Sequence, residues 1–417
     1  MGTFEGRPLR VLAADDSAVM RSILWKLFLI AREDRSSELP RMELCGIARD
    51  GVECLEQVKQ LRPDVLVLDL EMPRLNGLEV LDRLRVESSD LPVIMCSAYT
   101  EHGARSTLEA LGRGASDYVT KPSYGTSGTG PSEQHDFDVA MQSLSQQLLP
   151  RIAALAKDTS PRRETSDRSV AGDDRQKTQS SEVAAKTLSP IEVVVIGLST
   201  GGPSALEQLL PKLPRDFPVP VLIVQHMPKL FTGALAERLA KCCSLRVEQA
   251  YDNATIRPGT VWLAPGDAHM EVAPRRAMEA DGDRGGEVSS RVRLHQQEPL
   301  NHCRPSVDYL FFSAARMYGA GTLALVMTGM GADGLNGARA VRESGGVVLA
   351  QDEATSAVWG MPGRVSQSGI ASATLPLWGI AGALKQRVSA GRAVGSEATH
   401  GAVPAAIARR EMIHGLL

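Results

Sequence analysis

Residues 193 to 202 read Val-Val-Val-Ile-Gly-Leu-Ser-Thr-Gly-Gly and are followed by Pro203. A continuous β-branched run is what a strand buried on both faces of a parallel sheet requires, and the Gly-Gly-Pro that ends it lets the chain turn into a helix. The turn between such a strand and its helix lies at the carboxyl edge of the sheet, where open α/β sheets bind ligands. Ser199 sits in that turn. The spacing Gly197-x-Ser199-x-Gly201 matches a nucleophile elbow, in which small flanking residues allow a tight turn that exposes the serine. Taken alone, it suits equally a glycine-rich turn that holds phosphate through backbone amides, or a helix N-cap serine. A dinucleotide site is disfavoured, because Gly-x-Gly-x-x-Gly needs glycine where Ser199 stands.

Partners for the serine decide between these readings. His226 follows a second apolar run, Val221-Leu-Ile-Val-Gln225, which predicts a strand ending on the same sheet edge. Asp333 lies in Leu323-Ala-Leu-Val-Met-Thr-Gly-Met-Gly-Ala-Asp-Gly334, again an apolar strand entering a glycine-rich turn, with a helix predicted over 335–344. A strand-end histidine that only satisfies a loop and an aspartate that only caps a helix are the bland alternatives. Three strand ends carrying Ser, His and Asp together suggest a triad of nucleophile, general base and orienting acid. The glycines flanking Met330 leave backbone amides free for an oxyanion hole. The chain order Ser, His, Asp differs from the Ser, Asp or Glu, His order of α/β-hydrolases and argues against that fold.

The blocks Ile196-Gly-Leu-Ser-Thr-Gly-Gly202, Gln225-His-Met-Pro228, Ala264-Pro-Gly-Asp267 with His269, Arg304-Pro-Ser-Val-Asp308 and Thr328-Gly-Met-Gly-Ala-Asp-Gly334 resemble, in order, those of the chemotaxis protein-glutamate methylesterase (CheB) family. The resemblance covers most of residues 190–390. It implies Ser199 as nucleophile, His226 as base, Asp333 as orienting acid, Thr200 beside the nucleophile, the Met330 amide as oxyanion donor and Arg304 as a wall of the cleft. The implied fold is a doubly wound α/β domain with a mostly parallel sheet and a hairpin.

An amino-terminal receiver is the independent test of that resemblance. Apolar runs near 9–14, 43–48, 64–69, 92–96 and 117–119 alternate with helix-compatible segments, predicting a five-stranded parallel, flavodoxin-like α/β domain over residues 8–125. Asp15, Asp16 and Asp69 fall at strand ends. Clustered carboxylates repel unless a hard cation neutralises them, and Mg²⁺ prefers a few carboxylates with water and phosphate oxygens. Three ordinary turn-forming aspartates beside a lysine is the weaker reading. The pattern resembles a two-component receiver, which implies Asp69 as phosphoacceptor. Asp15, Asp16, Asp69 and the Glu71 backbone carbonyl would be Mg²⁺ ligands, with Lys121, Ser97 and Tyr118 as switch residues. No metal or cofactor is expected in the hydrolase module.

Between the modules, residues 158–189 are polar and predict a flexible linker, while helical spacing over about 137–157 predicts the last receiver helix. A Gly/Ser/Thr-rich loop precedes that helix over residues 123–134. Residues 275–291 suit a long hairpin tip, and residues 391–417 a carboxyl-terminal tail. Trp25, Leu24, Leu27 and Phe28 are expected to form the core stripe of the first helix.

At 417 residues and 43 % hydrophobic, the chain can bury two or three cores, and its formal charge of −3 supplies no basic field for nucleic acid. The six cysteines lack paired metal spacing and are expected to be reduced and buried. With neither a signal peptide nor an apolar run of 18 residues, a cytoplasmic protein without membrane insertion is expected. The resemblance implies phosphorylation-activated hydrolysis of glutamate methyl esters, and deamidation of glutamine, on chemoreceptor cytoplasmic domains, with a CheA-type histidine kinase as phosphodonor. A receiver-gated adaptor without turnover and a hydrolase of another acyl ester are the alternatives.

Overall fold

The computed structural model describes residues 7–33, 39–87, 89–122, 132–156, 189–274 and 290–398. The predicted linker, most of the 123–134 loop, the hairpin tip at 275–289 and the chain beyond 398 lie outside them. In the amino-terminal domain, β1 (Leu9–Ala14), α1 (Ala18–Glu33), β2 (Met42–Ala48), α2 (Gly51–Leu61), β3 (Val65–Asp69), α3 (Gly77–Val86), β4 (Val93–Ser97), α4 (Glu101–Gly112), β5 (Asp117–Thr120) and α5 (Ser132–Ala156) follow one another. The five strands are all parallel in the order β2-β1-β3-β4-β5. The order reverses between β1 and β3, so the crevice above their carboxyl ends receives Asp15 from one and Asp69 from the other.

The second domain runs β6 (Val193–Leu198), α6 (Gly202–Leu209), β7 (Val221–Gln225), α7 (Lys229–Cys242), β8 (Arg246–Gln249), β9 (Thr260–Leu263), β10 (His269–Pro274), β11 (Ser290–His295), α8 (Val307–Tyr318), β12 (Thr322–Val326), α9 (Leu335–Glu343), β13 (Val347–Gln351), α10 (Met361–Gln367), β14 (Ala373–Leu375) and α11 (Leu377–Ala398). Seven parallel strands order as β14-β13-β12-β6-β7-β9-β8. The predicted hairpin, β10 with β11, forms its own antiparallel pair rather than joining this sheet.

The β-branched run does what its composition dictates. Val193 and Val195 face one side, in a core with α8 and α9, whereas Val194 and Ile196 face the other, among Leu206 and Leu209 of α6. In the sheet β6 is flanked by β7 on one side and β12 on the other, so the strand order runs outward from it in opposite directions and its carboxyl end is the switch point of this sheet. The apolar core on the α6 side does not stop at the domain boundary: it continues into receiver residues Leu108, Leu111 and Tyr118.

Three sequence expectations are corrected. Leu24, Leu27 and Phe28 are buried, but Trp25 is 57 % exposed, because at about 100° per residue it falls outside the arc of Met20, Ile23, Leu24, Leu27 and Phe28. Of the six cysteines only Cys54 and Cys96 are buried; Cys45, Cys243 and Cys303 are half-buried and Cys242 is exposed, all as free thiols. Helix α11 runs on to Ala398, so the first residues assigned to a tail continue a helix.

Candidate active site

Ser199 is clamped by its backbone between three strands. Its amide donates to Thr328 O from the turn after β12 (3.0 Å), while its carbonyl accepts Gly202 N–H (2.9 Å) and the side-chain amide of Gln225 at the end of β7 (2.8 Å). Two glycines make this closeness feasible. Gly201 caps α6 at φ +77, and a Cβ there would lie 2.5 Å from Ala357 Cβ; a Cβ on Gly329 would lie 2.8 Å from Ser199 Cβ. The β12 turn therefore rides directly over the serine.

His226 is reached by the next strand: its amide donates to Leu198 O (3.1 Å), fixing the backbone beside the β6 turn. Its Nε2 lies 2.8 Å from Asp333 Oδ2. Asp333 does not cap its own helix, since the N-cap of α9 is Gly334. The carboxylate instead crosses to the start of α8. There Oδ2 accepts Val307 N–H (2.7 Å), and Oδ1 accepts the Ser306 hydroxyl (2.7 Å), Asn301 Nδ2 (2.9 Å) and Asp308 N–H (3.3 Å). Asp308 returns the favour, accepting Gly337 N–H of α9 (2.6 Å). Burial alone raises a carboxyl pKa; at Asp333 the donors, led by His226, reverse that and hold it below its ordinary value. Ser306, Asn301 and Asp308 had no sequence signal beyond the Arg304–Asp308 block.

The His226 side chain has a second neighbour, Cys303 Sγ, 3.6 Å from Nδ1. Burial pushes the imidazole pKa down, but the Asp333 and Cys303 contacts outweigh it and lift the pKa to about 10. Among the described residues no hydrogen bond is made by the Ser199 hydroxyl, so the structure brings Ser199, His226 and Asp333 to one sheet edge without closing the serine–histidine contact. The Met330 amide likewise has no acceptor among the described residues, while its side chain packs against an apolar cluster that joins Val358 to receiver residues such as Leu144 and Leu148. Arg304 turns to Asp267, with its Nε 2.9 Å from Oδ1.

Thr200 faces the other domain. Its hydroxyl donates to Asp117 Oδ2 of β5 (2.8 Å), which also accepts Arg151 Nε of α5 (3.0 Å). One residue along, the ring of Tyr118 stacks on Phe231 of α7 with centroids 4.7 Å apart. The Ser204 hydroxyl donates to Leu111 O (3.2 Å), and Arg105 reaches Glu237 (3.4 Å). The receiver thus seats its α4–β5 face on α6 and α7, against the residue next to Ser199.

At the receiver's own switch point, Lys121 Nζ bridges Asp15 Oδ2 (2.9 Å) and Asp69 Oδ2 (2.7 Å). Those two buried oxygens meet no other donor in the described residues. Burial and then the Asp15 charge raise Asp69 to about 6 against the pull of Lys121. Lys121 is held charged: its carboxylate partners overcome burial. Asp16, exposed, completes a group of three carboxylates whose ligand atoms lie within 4.8 Å of one another. Two buried carboxylates sharing one ammonium retain negative charge, and hard oxygen donors at this spacing suit a divalent cation such as Mg²⁺. The Glu71 amide points to Asp69 Oδ1 (3.4 Å), and the Ser97 hydroxyl is turned to Gly103 O (3.1 Å).

Comparison with known proteins agrees with this division. Residues 194–384 match the CheB methylesterase family and residues 11–126 the response regulator receiver domain. A protein-glutamate methylesterase/protein-glutamine glutaminase of Trichodesmium erythraeum is 40 % identical, over 91 % of this chain and 99 % of its own. Proteins of the same name from a Nocardioides species and from Pyrococcus abyssi are 43 % and 35 % identical, over 88 % and 96 % of this chain and 92 % and 99 % of theirs. Among the described residues no helix is long and apolar enough to cross a membrane. The chain belongs to the receiver-bearing CheB methylesterase family.

Proposed function

We propose that this protein hydrolyses glutamate methyl esters on chemoreceptor cytoplasmic domains, and deamidates glutamine there by the same acyl chemistry, under control of phosphorylation at Asp69. One observation carries the reading: Asp333, saturated with donors, fixes His226 through Nε2 beside Ser199 on a single sheet edge. With Nε2 so engaged, Nδ1 is the nitrogen that takes the Ser199 proton as Oγ attacks the ester carbonyl. The Met330 amide receives the developing oxyanion. Collapse of the tetrahedral adduct breaks the bond to methoxide, which leaves as methanol with the proton from His226. Water, deprotonated by the same imidazole, then releases glutamate from the acyl-serine.

In the receiver, Asp69 takes a phosphoryl group from a CheA-type histidine kinase. Asp15, Asp16, Asp69 and the Glu71 carbonyl would hold Mg²⁺, which when bound neutralises charge on the incoming phosphoryl oxygens. Lys121 and Ser97 answer the new charge, and Tyr118 and Asp117, on the strand that leads into Lys121, carry it to the Thr200 contact. Substrate receptors, kinase and this chain meet in the cytoplasm in this reading.

The test is methanol release from methylated receptor fragments by the full chain, with and without an acyl-phosphate donor. Wild type is expected to turn over and respond to the donor, Ser199→Ala to be inactive and Asp69→Ala to be unresponsive. Removing residues 1–158 is expected to raise the unstimulated rate. No release by wild type points to an adaptor or to a different acyl ester; release persisting in Ser199→Ala overturns the mechanism.

A further inference from the structure

In a serine triad the imidazole nitrogen opposite the acid must be free to accept the nucleophile's proton. Here that nitrogen is Nδ1, and it is not free: Cys303 Sγ stands 3.6 Å away, whereas among the described residues the Ser199 hydroxyl makes no hydrogen bond. The thiol is built into place. Leu300 and Cys303 exchange both backbone hydrogen bonds (3.2 and 3.0 Å), and the two residues between them, Asn301 and His302, hold φ +54 and +61, as a two-residue type I′ turn demands. Asn301 Nδ2 then ties the turn to Asp333 Oδ1 and Asp308 Oδ2, each at 2.9 Å. The turn that aims the thiol is thus fastened to the acid that orients the ring.

Proton placement follows from the same contacts. Cys303 Sγ donates to Asn301 O (3.4 Å), which leaves the sulfur to accept from Nδ1–H, while Nε2–H donates to Asp333. A ring donating at both nitrogens is an imidazolium, which cannot accept the serine proton. Among the described residues, Asp333 and Cys303 are the ionisable groups bearing on the ring, and Arg304 is engaged with Asp267. A cation held jointly by Cys303, His226 and Asp333 is disfavoured, because both Asp333 oxygens already have donors.

We propose that Cys303 is a positioning residue of the hydrolytic site, which holds Nδ1 of His226 in the resting protein so that the base reaches Ser199 only when this contact opens. The inference rests on the triad reading above. It is tested with the full chain by following methanol release against pH in the presence of the acyl-phosphate donor. Wild type is expected to gain activity as pH rises and the imidazolium loses its proton. Removing the sulfur in Cys303→Ala weakens the hold on that proton. The acid limb of kcat/KM then moves to lower pH by about one pH unit, a roughly tenfold gain on the limb, through kcat rather than KM. Cys303→Ser, with a hydroxyl on the same nitrogen, falls between.

Superimposed limbs for wild type and Cys303→Ala overturn the proposal. A second measurement needs no turnover: alkylation of Cys303 by iodoacetamide near neutral pH, followed peptide by peptide by mass spectrometry. In His226→Gln the rate is expected to fall severalfold, since the sulfur loses its cationic neighbour, and an unchanged rate overturns the contact. Wild type that fails to release methanol while its Cys303 alkylation depends on His226 sinks the methylesterase reading and leaves the contact standing.

Discussion

Asp69 and Asp333 occupy equivalent places, each buried above the carboxyl ends of central parallel strands where the strand order reverses, and they are treated in opposite ways. Asp333 receives His226, Ser306, Asn301, Val307 and Asp308, and its pKa is held down. Asp69 shares one ammonium with Asp15 and its pKa is pushed up to about 6. A carboxylate supplied with every donor it can use orients a neighbour and has no call for a ligand. One left short is unstable as an anion until something positive arrives, which suits the proposed phosphoryl group and its cation. Position in the fold marks both as functional; hydrogen-bond supply distinguishes their work.

The comparison breaks first at Asp333. Asp333→Asn preserves shape but offers Nε2 of His226 an amide in place of a carboxylate, and methanol release is expected to fall by about 10³–10⁴-fold. A loss under tenfold would mean that the acid only props up α8. The opposite sign is expected at Asp69. Its folded pKa of about 6 lies above the ordinary 3.8, so the folded protein binds the proton more tightly than the unfolded chain. The stability that this group contributes is complete below about pH 4 and is lost as pH rises through 6. Asp69→Asn should therefore raise the melting temperature at pH 7.5 by a few degrees, equivalent to about 1–3 kcal/mol, with the gap closing toward pH 4. A gap independent of pH removes the strain argument.

A smaller effect sharpens the cation reading. Asp15→Asn should weaken Mg²⁺ binding, followed by titration calorimetry, by about tenfold or more; equal affinity moves the ion elsewhere. The smallest is at the seam between the regions. The Tyr118–Phe231 stack adds about 0.5–1.5 kcal/mol, so Phe231→Ala should raise the unstimulated methanol rate by about two- to tenfold while leaving donor-stimulated turnover near wild type. A fall in both rates would instead make the seated receiver part of the working site.

The strands were legible because buried parallel strands must be β-branched runs, and the three proposed triad residues because each follows such a run, Ser199 and Asp333 in glycine-rich turns. Hydrophobic pattern says little about where irregular segments return. Residues 300–308 carry Asn301, Cys303 and Ser306 to Asp333 and His226, and only the built turn at Asn301-His302 reveals it. Thr200 was placed beside the nucleophile on family grounds; that its hydroxyl is spent on Asp117, in another domain, depends on docking, for which no local propensity exists. Trp25 adjoins buried Leu24 in sequence, but its angle on the helix turns it to solvent.

Strand β5 carries more than its length suggests. Asp117 and Tyr118 touch the hydrolase domain, and Lys121, three residues beyond Tyr118, grips Asp69. Extended chain advances about 3.3 Å per residue, so the signalling distance is some 10 Å along one pleated segment with no hinge in it. In the proposed reading, input and output therefore share a single short rod, with no relay of helices between the Asp69 contact and the Thr200 contact.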